Sequence, residues 1–215
     1  MSLSGESREK QNARNKHTWS KQADHYDKQI GWWERRMFGE DHRPWACSRA
    51  DGKVLEVAVG TGLNLPFYDA GLDVVGIDLS PDMLAIARRR ALGAGRDVDL
   101  REGDAHDLDF ADGSFDTVVS TYSLCNIPDP DRALSEMHRV LRAAGGRLIL
   151  VDHIGSSVKP ILWFQKIVEP LSIRFGGDHL TRRPSQSVER HGFEITERER
   201  FARGVVERLV ATKTS

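Results

Sequence analysis

The sequence predicts an α/β fold with a mainly parallel, seven-stranded sheet that ends in an antiparallel hairpin and follows a helical arm. Three observations carry this. Between Lys53 and His153 short apolar runs alternate with segments of helical period. Two β-rich runs meeting near Arg203-Gly204 close the sequence, and residues 1–50 are polar and aromatic with little β character.

Taken in order, His17 to Phe38 predicts two short helices separated near Gly31, because glycine weakens a helix interior. Val54–Val59, Val74–Ile77, Val98–Arg101, Thr117–Ser120 and Arg147–Val151 are the parallel strand candidates. Ser80 caps a helix over Pro81–Leu92, with Met83, Leu84, Ile86, Ala87 and Ala91 on a helical period. A second helix, Asp131–Arg142, stops before Gly145-Gly146. Pro160–Phe175 is apolar and helical, with an interruption expected at Pro170. Phe193–Phe201 and Val205–Thr212 read as the late hairpin. The arm is thus assigned to residues 1–50 and a single domain to 51–215, a size with room for one sizeable core.

Composition removes several function classes. With 31 basic and 32 acidic side chains the net charge is −1, which supplies no bulk attraction to nucleic acid, so no nucleic-acid partner is expected. Cys47 and Cys125 are the only cysteines, too few for a disulfide scaffold or a cysteine metal cluster, so no metal is expected. The first 30 residues carry charges throughout and lack the apolar core of a secretory signal. A cytoplasmic setting is the expectation.

The most informative stretch is Val54-Leu55-Glu56-Val57-Ala58-Val59-Gly60-Thr61-Gly62-Leu63-Asn64, an apolar strand entering a glycine-rich turn, with a helix expected after it. Glycines let a backbone approach a ligand closely, and free N–H groups there favour an anionic group. Glu56 interrupts an otherwise apolar strand, and Asp78 ends the next one, where nucleotide ribose hydroxyls are held in dinucleotide-binding folds. A dinucleotide fingerprint needs a third glycine, and Leu65 stands in its place, which disfavours a dehydrogenase.

Glu56 to Gly62, Asp78-Leu79-Ser80, Gly103-Asp104-Ala105, Ser114-Phe115-Asp116 and the stretch from Arg139-Val140-Leu141 to Gly145-Gly146 resemble, in order and spacing, the class I S-adenosylmethionine-dependent methyltransferases, over about half of the chain. The resemblance implies a Rossmann-like fold, S-adenosylmethionine as cofactor and S-adenosylhomocysteine as product. It implies that Ala58, Gly60 and Gly62 line the methionine part, with Glu56 and Asn64 in the same set. Asp78 would hold the ribose hydroxyls, Leu79 would pack on the adenine, Asp104 would accept from its amino group with Ala105 beside the ring, and Thr121 with Tyr122 would lie near the reactive methyl. Ala58 departs from the family, which commonly has glycine there, and this bears on the geometry of the loop.

Outside that core, Tyr26-Asp27 through Trp32-Trp33-Glu34-Arg35-Arg36, Ser123-Leu124-Cys125-Asn126, Val151-Asp152-His153 and Gly177-Asp178-His179-Leu180-Thr181-Arg182 look like a subgroup holding bacterial phosphatidylethanolamine N-methyltransferases and small-molecule thiol S-methyltransferases, with quinone C-methyltransferases more distant. An S- or N-methylated small or lipid-like acceptor is therefore expected, with C- or O-methylation and a catalytically dead binding module as alternatives. A plain hydroxyl needs a positioned base, a thiol little help. Candidate acid–base groups are His153, preferred, with Asp152, His179 and Tyr26. Each also has a structural reading: Asp152 and His153 as a polar core site, His179 as a loop residue. Cys125 reads as a packing residue. Trp32, Trp33, Trp163 and Phe164 offer apolar contact for the acceptor, and the tryptophans of the arm can close a pocket or touch lipid headgroups.

Overall fold

The computed structural model describes residues 5–33, 41–175 and 177–214. In chain order the elements are α1 (Gly5–Trp33), α2 (His42–Cys47), β1 (Lys53–Val57), β2 (Asp73–Asp78), α3 (Pro81–Gly93), β3 (Asp99–Glu102), β4 (Thr117–Thr121), α4 (Pro130–Val140), β5 (Arg147–His153), α5 (Lys159–Phe175), α6 (Pro184–Arg190), β6 (Phe193–Phe201) and β7 (Val206–Lys213). The strands form one sheet in the order β3-β2-β1-β4-β5-β7-β6. Only β7 runs antiparallel, pairing with both β5 and β6. The order reverses beside β1, between β1 and β4, which is where such sheets open a crevice beyond the carboxyl ends of their strands.

Burial explains the strand sequences. β4 is buried along its whole length, as a strand covered on both faces must be. One cluster packs Leu55, Val57, Val118, Leu148 and Leu209 against Leu134, Met137 and Val140 of α4. The other packs Val54, Val74, Val119 and Ile149 against Leu84, Ala87 and Ala91 of α3 and against Trp45, Ala46 and Cys47 of α2. Ser80 caps α3 by accepting the Met83 N–H, and Asp129 caps α4 by accepting that of Arg132.

Four expectations need correction. The arm is one helix running through Gly31, two residues from its end, where the roughly 1 kcal/mol cost of glycine does not break it. Residues 42–47 belong to the core rather than to an arm, since Ala46 and Cys47 are fully buried. α5 continues through Pro170, and the stretch just before the proline is held by inward hydrogen bonds of Gln165 and Glu169. After the glycine loop comes only a three-residue 3₁₀ turn, Leu65–Phe67, because Pro66 and Gly71 leave no room for a long helix.

Candidate functional site

The crevice opens where the sheet order reverses. Its walls are the segments that leave the carboxyl ends of four strands: Ala58 to Thr61 after β1, Asp78 and Leu79 after β2, Gly103 to His106 after β3, and Thr121 to Ser123 with Asn126 to Pro128 after β4. Asn12, Asn15 and Trp19 of α1 and Arg43 of α2 complete it.

The loop after β1 holds a left-handed backbone at Ala58 (φ 58°), Gly60 (φ 56°) and Gly62 (φ 77°). Left-handed geometry costs an L side chain about 1–2 kcal/mol, and Ala58 bears that cost inside the crevice wall. The two glycines do different work. A Cβ on Gly60 would meet nothing within 4 Å, so bare backbone faces the cavity, whereas a Cβ on Gly62 would strike Leu65 at 2.7 Å and Ala87 at 3.1 Å. Gly62 therefore seats the loop on α3.

Asp78 accepts the Gly60 and Ser80 N–H groups at 2.9 Å each. Burial raises its pKa, and those backbone bonds oppose the rise. At the far end, Asp104 accepts from the His106 N–H (2.9 Å) and from Asn12 Nδ2 (2.7 Å). His106 Nε2 accepts the Asp129 N–H, which leaves the ring proton on Nδ1 to be donated to Asp104 at 2.5 Å.

Beneath the glycine loop lies a second polar layer, with Glu56 and Asn64 buried and Arg43 partly exposed to the cavity. Glu56 Oε1 accepts from Asn64 Nδ2 (2.9 Å), which is also within bonding distance of Thr121 Oγ1 (3.0 Å). Arg43 donates to Asn64 Oδ1 (2.9 Å) and Thr121 Oγ1 (3.1 Å), with its guanidinium 5.2 Å from the Tyr122 ring centroid. Burial pushes the Glu56 carboxyl up to about 7, restrained by Tyr68, Arg43 and Asn64. Tyr122, like Ala58, has a left-handed backbone (φ 54°).

Ala58, Gly60, Asp78, Leu79, Asp104, Ala105, Thr121 and Tyr122 thus meet in one cavity, while Glu56, Asn64 and Gly62 support it from below. Three of the acid–base candidates, Asp152, His153 and His179, do not line the cavity. Asp152 is buried and accepts the Cys125 (3.0 Å) and His153 (2.8 Å) N–H groups, fixing the turn after β4. The His153 ring sits 4.9 Å from that of Tyr122, and burial lowers its pKa to about 4. His179 donates its backbone N–H to the Cys125 carbonyl (3.0 Å), and burial lowers its pKa too. Burial holds the Cys125 thiol protonated, as a packing residue requires. The side chains of Tyr26, Trp32 and Trp33 lie outside the described residues. Trp163 and Phe164 do not line the cavity and are 67% and 60% exposed.

Trp19 lines the cavity, at a position the sequence reading offered for closing a pocket, whereas that reading missed Arg43, Asn12, Asn15 and His106. Arg43, Asn12 and Asn15 sit in no motif and reach the site from elements distant in the chain, while His106 directly follows the Gly103-Asp104-Ala105 motif. Only the Arg43-Pro44-Trp45 run, a cation beside a core aromatic, offered a local hint.

Residues 55–150 match the family described as a methyltransferase domain. Phosphatidylethanolamine N-methyltransferase of Cereibacter sphaeroides is 44% identical over 117 residues, 54% of this chain and 57% of that protein. Demethylmenaquinone methyltransferase of Thermus thermophilus is 44% identical over 110 residues, 50% of each. The chain thus spans about half the length of these curated relatives. The human thiol S-methyltransferase TMT1A is 33% identical over 175 residues, 78% of this chain and 70% of that protein. In fold, a SAM-dependent methyltransferase from Thermotoga maritima superposes with a TM-score of 0.70 at 23% identity, covering 92% of this chain and 99% of that one. With a glycine-lined crevice at the sheet reversal, acids after β2 and β3, and a relative aligned over most of both chains, this chain belongs to the class I S-adenosylmethionine-dependent methyltransferases.

Proposed function

We propose that the chain transfers a methyl group from S-adenosylmethionine to a nitrogen or sulfur of a small or lipid-like acceptor. The observation that carries this is the distribution of charge along the crevice: Asp78 beside the bare Gly60 backbone, Asp104 at the far end, and the Arg43 cation held against Asn64 and Thr121. The adenosine half is neutral and rich in hydroxyl and amino donors, which suits the carboxylates; the amino-acid half ends in a carboxylate, which suits Arg43. Ala105, Leu79 and Ile127 offer apolar contact to the base. Glu56 and Asn64 would act one layer down, by orienting Arg43 and Thr121.

When bound, the cofactor supplies a methyl already activated on a sulfonium. What remains for the protein is alignment and exclusion of water, effects worth up to roughly 7–11 kcal/mol. Tyr122 and Ser123, after β4, flank the space where that alignment happens. Among the described lining residues the ionisable acids Asp78 and Asp104 and the His106 ring are committed to hydrogen bonds, so none stands ready as a strong base. This favours thiol and amine acceptors over plain hydroxyls. His153 and His179 would act only through the wall they support, and Asp152 as the anchor of the turn.

We further read α1 as a lid. It crosses the carboxyl ends of successive strands, with Lys16 on Glu102, Ser20 on Ser80 (2.9 Å), Asp27 on Thr61 (2.6 Å) and on Arg90, and Asn15 on the Asn126 carbonyl (3.0 Å). Two buried thiols, Cys47 and Cys125, fit a reducing, cytoplasmic setting. Calorimetry with S-adenosylhomocysteine, then a screen of thiol, amine, phenol and quinone acceptors, tests the reading. Binding with turnover on a thiol or amine is expected. Binding without turnover on any acceptor would mark a binding module, and tight selective binding of NAD in its place would overturn the cofactor assignment.

A further inference from the structure

The outer face of α5 is inside out. Trp163, Phe164, Ile167 and Leu171 are 67%, 60%, 54% and 60% exposed, at spacings that place them on one stripe. Two uncharged or acidic polar residues of the same helix, Gln165 and Glu169, point inward instead. Gln165 is buried and donates to the Ile154 (3.1 Å) and Leu180 (3.2 Å) carbonyls while accepting the Ser156 N–H (2.8 Å). Glu169, the only acid on the helix, accepts from the Thr181 N–H (2.9 Å) and hydroxyl. The helix is therefore held to the body by hydrogen bonds, and its apolar stripe contributes nothing to the core. In a chain of mean hydropathy −0.47 such a stripe needs another occupant.

We propose that this face docks on an anionic lipid surface. The exposed charges sharing it are Lys159, Lys166 and Arg174, all basic, so the face combines apolar side chains that can enter the headgroup boundary with cations that pair with lipid phosphates. A second copy of the chain is a poorer occupant. A two-fold contact through this stripe would set the three cations of one copy against the three of the other. No described helix is long and apolar enough to cross a membrane, so the contact is with the surface. The segment after α5 is tied to the crevice wall, since Arg182 donates to the Leu124 (2.7 Å) and Ile127 (2.6 Å) carbonyls. Docking through α5 thus places the surface next to a segment that leans on the candidate site. The inference rests on the helix alone and holds whichever acceptor the site takes.

The test is co-sedimentation of the full chain with phosphatidylcholine vesicles, with and without phosphatidylglycerol. The wild type is expected to sediment with the anionic vesicles, less so at high salt. Trp163→Ser with Leu171→Ser, both at exposed positions, should weaken that binding at least about tenfold. Lys159→Glu with Lys166→Glu should remove the preference for phosphatidylglycerol, with the thermal unfolding of both variants matching the wild type. If the first pair unfolds, the second pair together with the blue shift of wild-type tryptophan fluorescence, lost in Trp163→Phe, decides the question. Absence of wild-type binding, unchanged binding in the variants, or self-association abolished by these substitutions without any vesicle binding would overturn the proposal.

Discussion

Replacing Glu56 by Gln removes a buried charge while keeping an acceptor for Asn64 Nδ2. Glu56 is 2% exposed, and burial raises its carboxyl from an ordinary 4.5 to about 7. A group that holds its proton more tightly when folded contributes stability that is fully present below about pH 4.5 and is lost as pH rises through about 7. The gap, at about 1.4 kcal/mol per pH unit, amounts to about 3 kcal/mol. Urea unfolding of both proteins without cofactor, from about pH 4.5 to about pH 8, should show the wild type falling behind the Gln variant by about 3 kcal/mol over that range. Asp152, raised to about 6, acts in the same direction, whereas His153, lowered to about 4, opposes it; both are common to the two proteins and cancel in the difference. A difference that stays flat with pH would show that Glu56 is not buried as a strained acid, and would remove the polar layer from the account of the site.

Asp78→Ala should weaken S-adenosylhomocysteine and methylthioadenosine alike, by about 1.5–3 kcal/mol in calorimetry, and unchanged affinity would refute its placement at the ribose. Arg43→Gln should weaken S-adenosylhomocysteine by a similar amount and leave methylthioadenosine, which lacks the amino-acid part, unaffected; equal losses would move Arg43 away from that end. Because His153 titrates near 4, the pH–rate profile of His153→Ala should parallel the wild type above about pH 5, and loss of a wild-type inflection near neutrality would restore it as a base. Removing residues 1–40, which spares the core helix α2, should speed cofactor release in stopped-flow chase experiments; an unchanged rate would refute the lid.

What the sequence determined by itself was most of the local pattern, though not the effect of Gly31 and Pro170 on their helices or the short turn after the glycine loop. The alternation of strands and helices, the glycine turn after β1, the acids ending β2 and beginning the segment after β3, and the late hairpin all follow from neighbours within a few residues, whose turn chemistry and hydrophobic period are set by the chain itself. The match to known methyltransferases rests on those same short motifs. Tertiary structure decided what depends on distant partners. Asn12 reaches Asp104 across 92 positions and Arg43 reaches Thr121 across 78, and no period or spacing encodes such a meeting. It also separated residues that look alike in sequence: Gly60 faces the cavity while Gly62 packs on α3, and Trp163 faces outward although a tryptophan beside Phe164 reads as pocket or core. The acid–base candidates changed most, because a side chain's pKa is set by what surrounds it. Burial by the whole fold, rather than residue type, turns His153 into a neutral wall residue and Glu56 into an acid poised near neutrality.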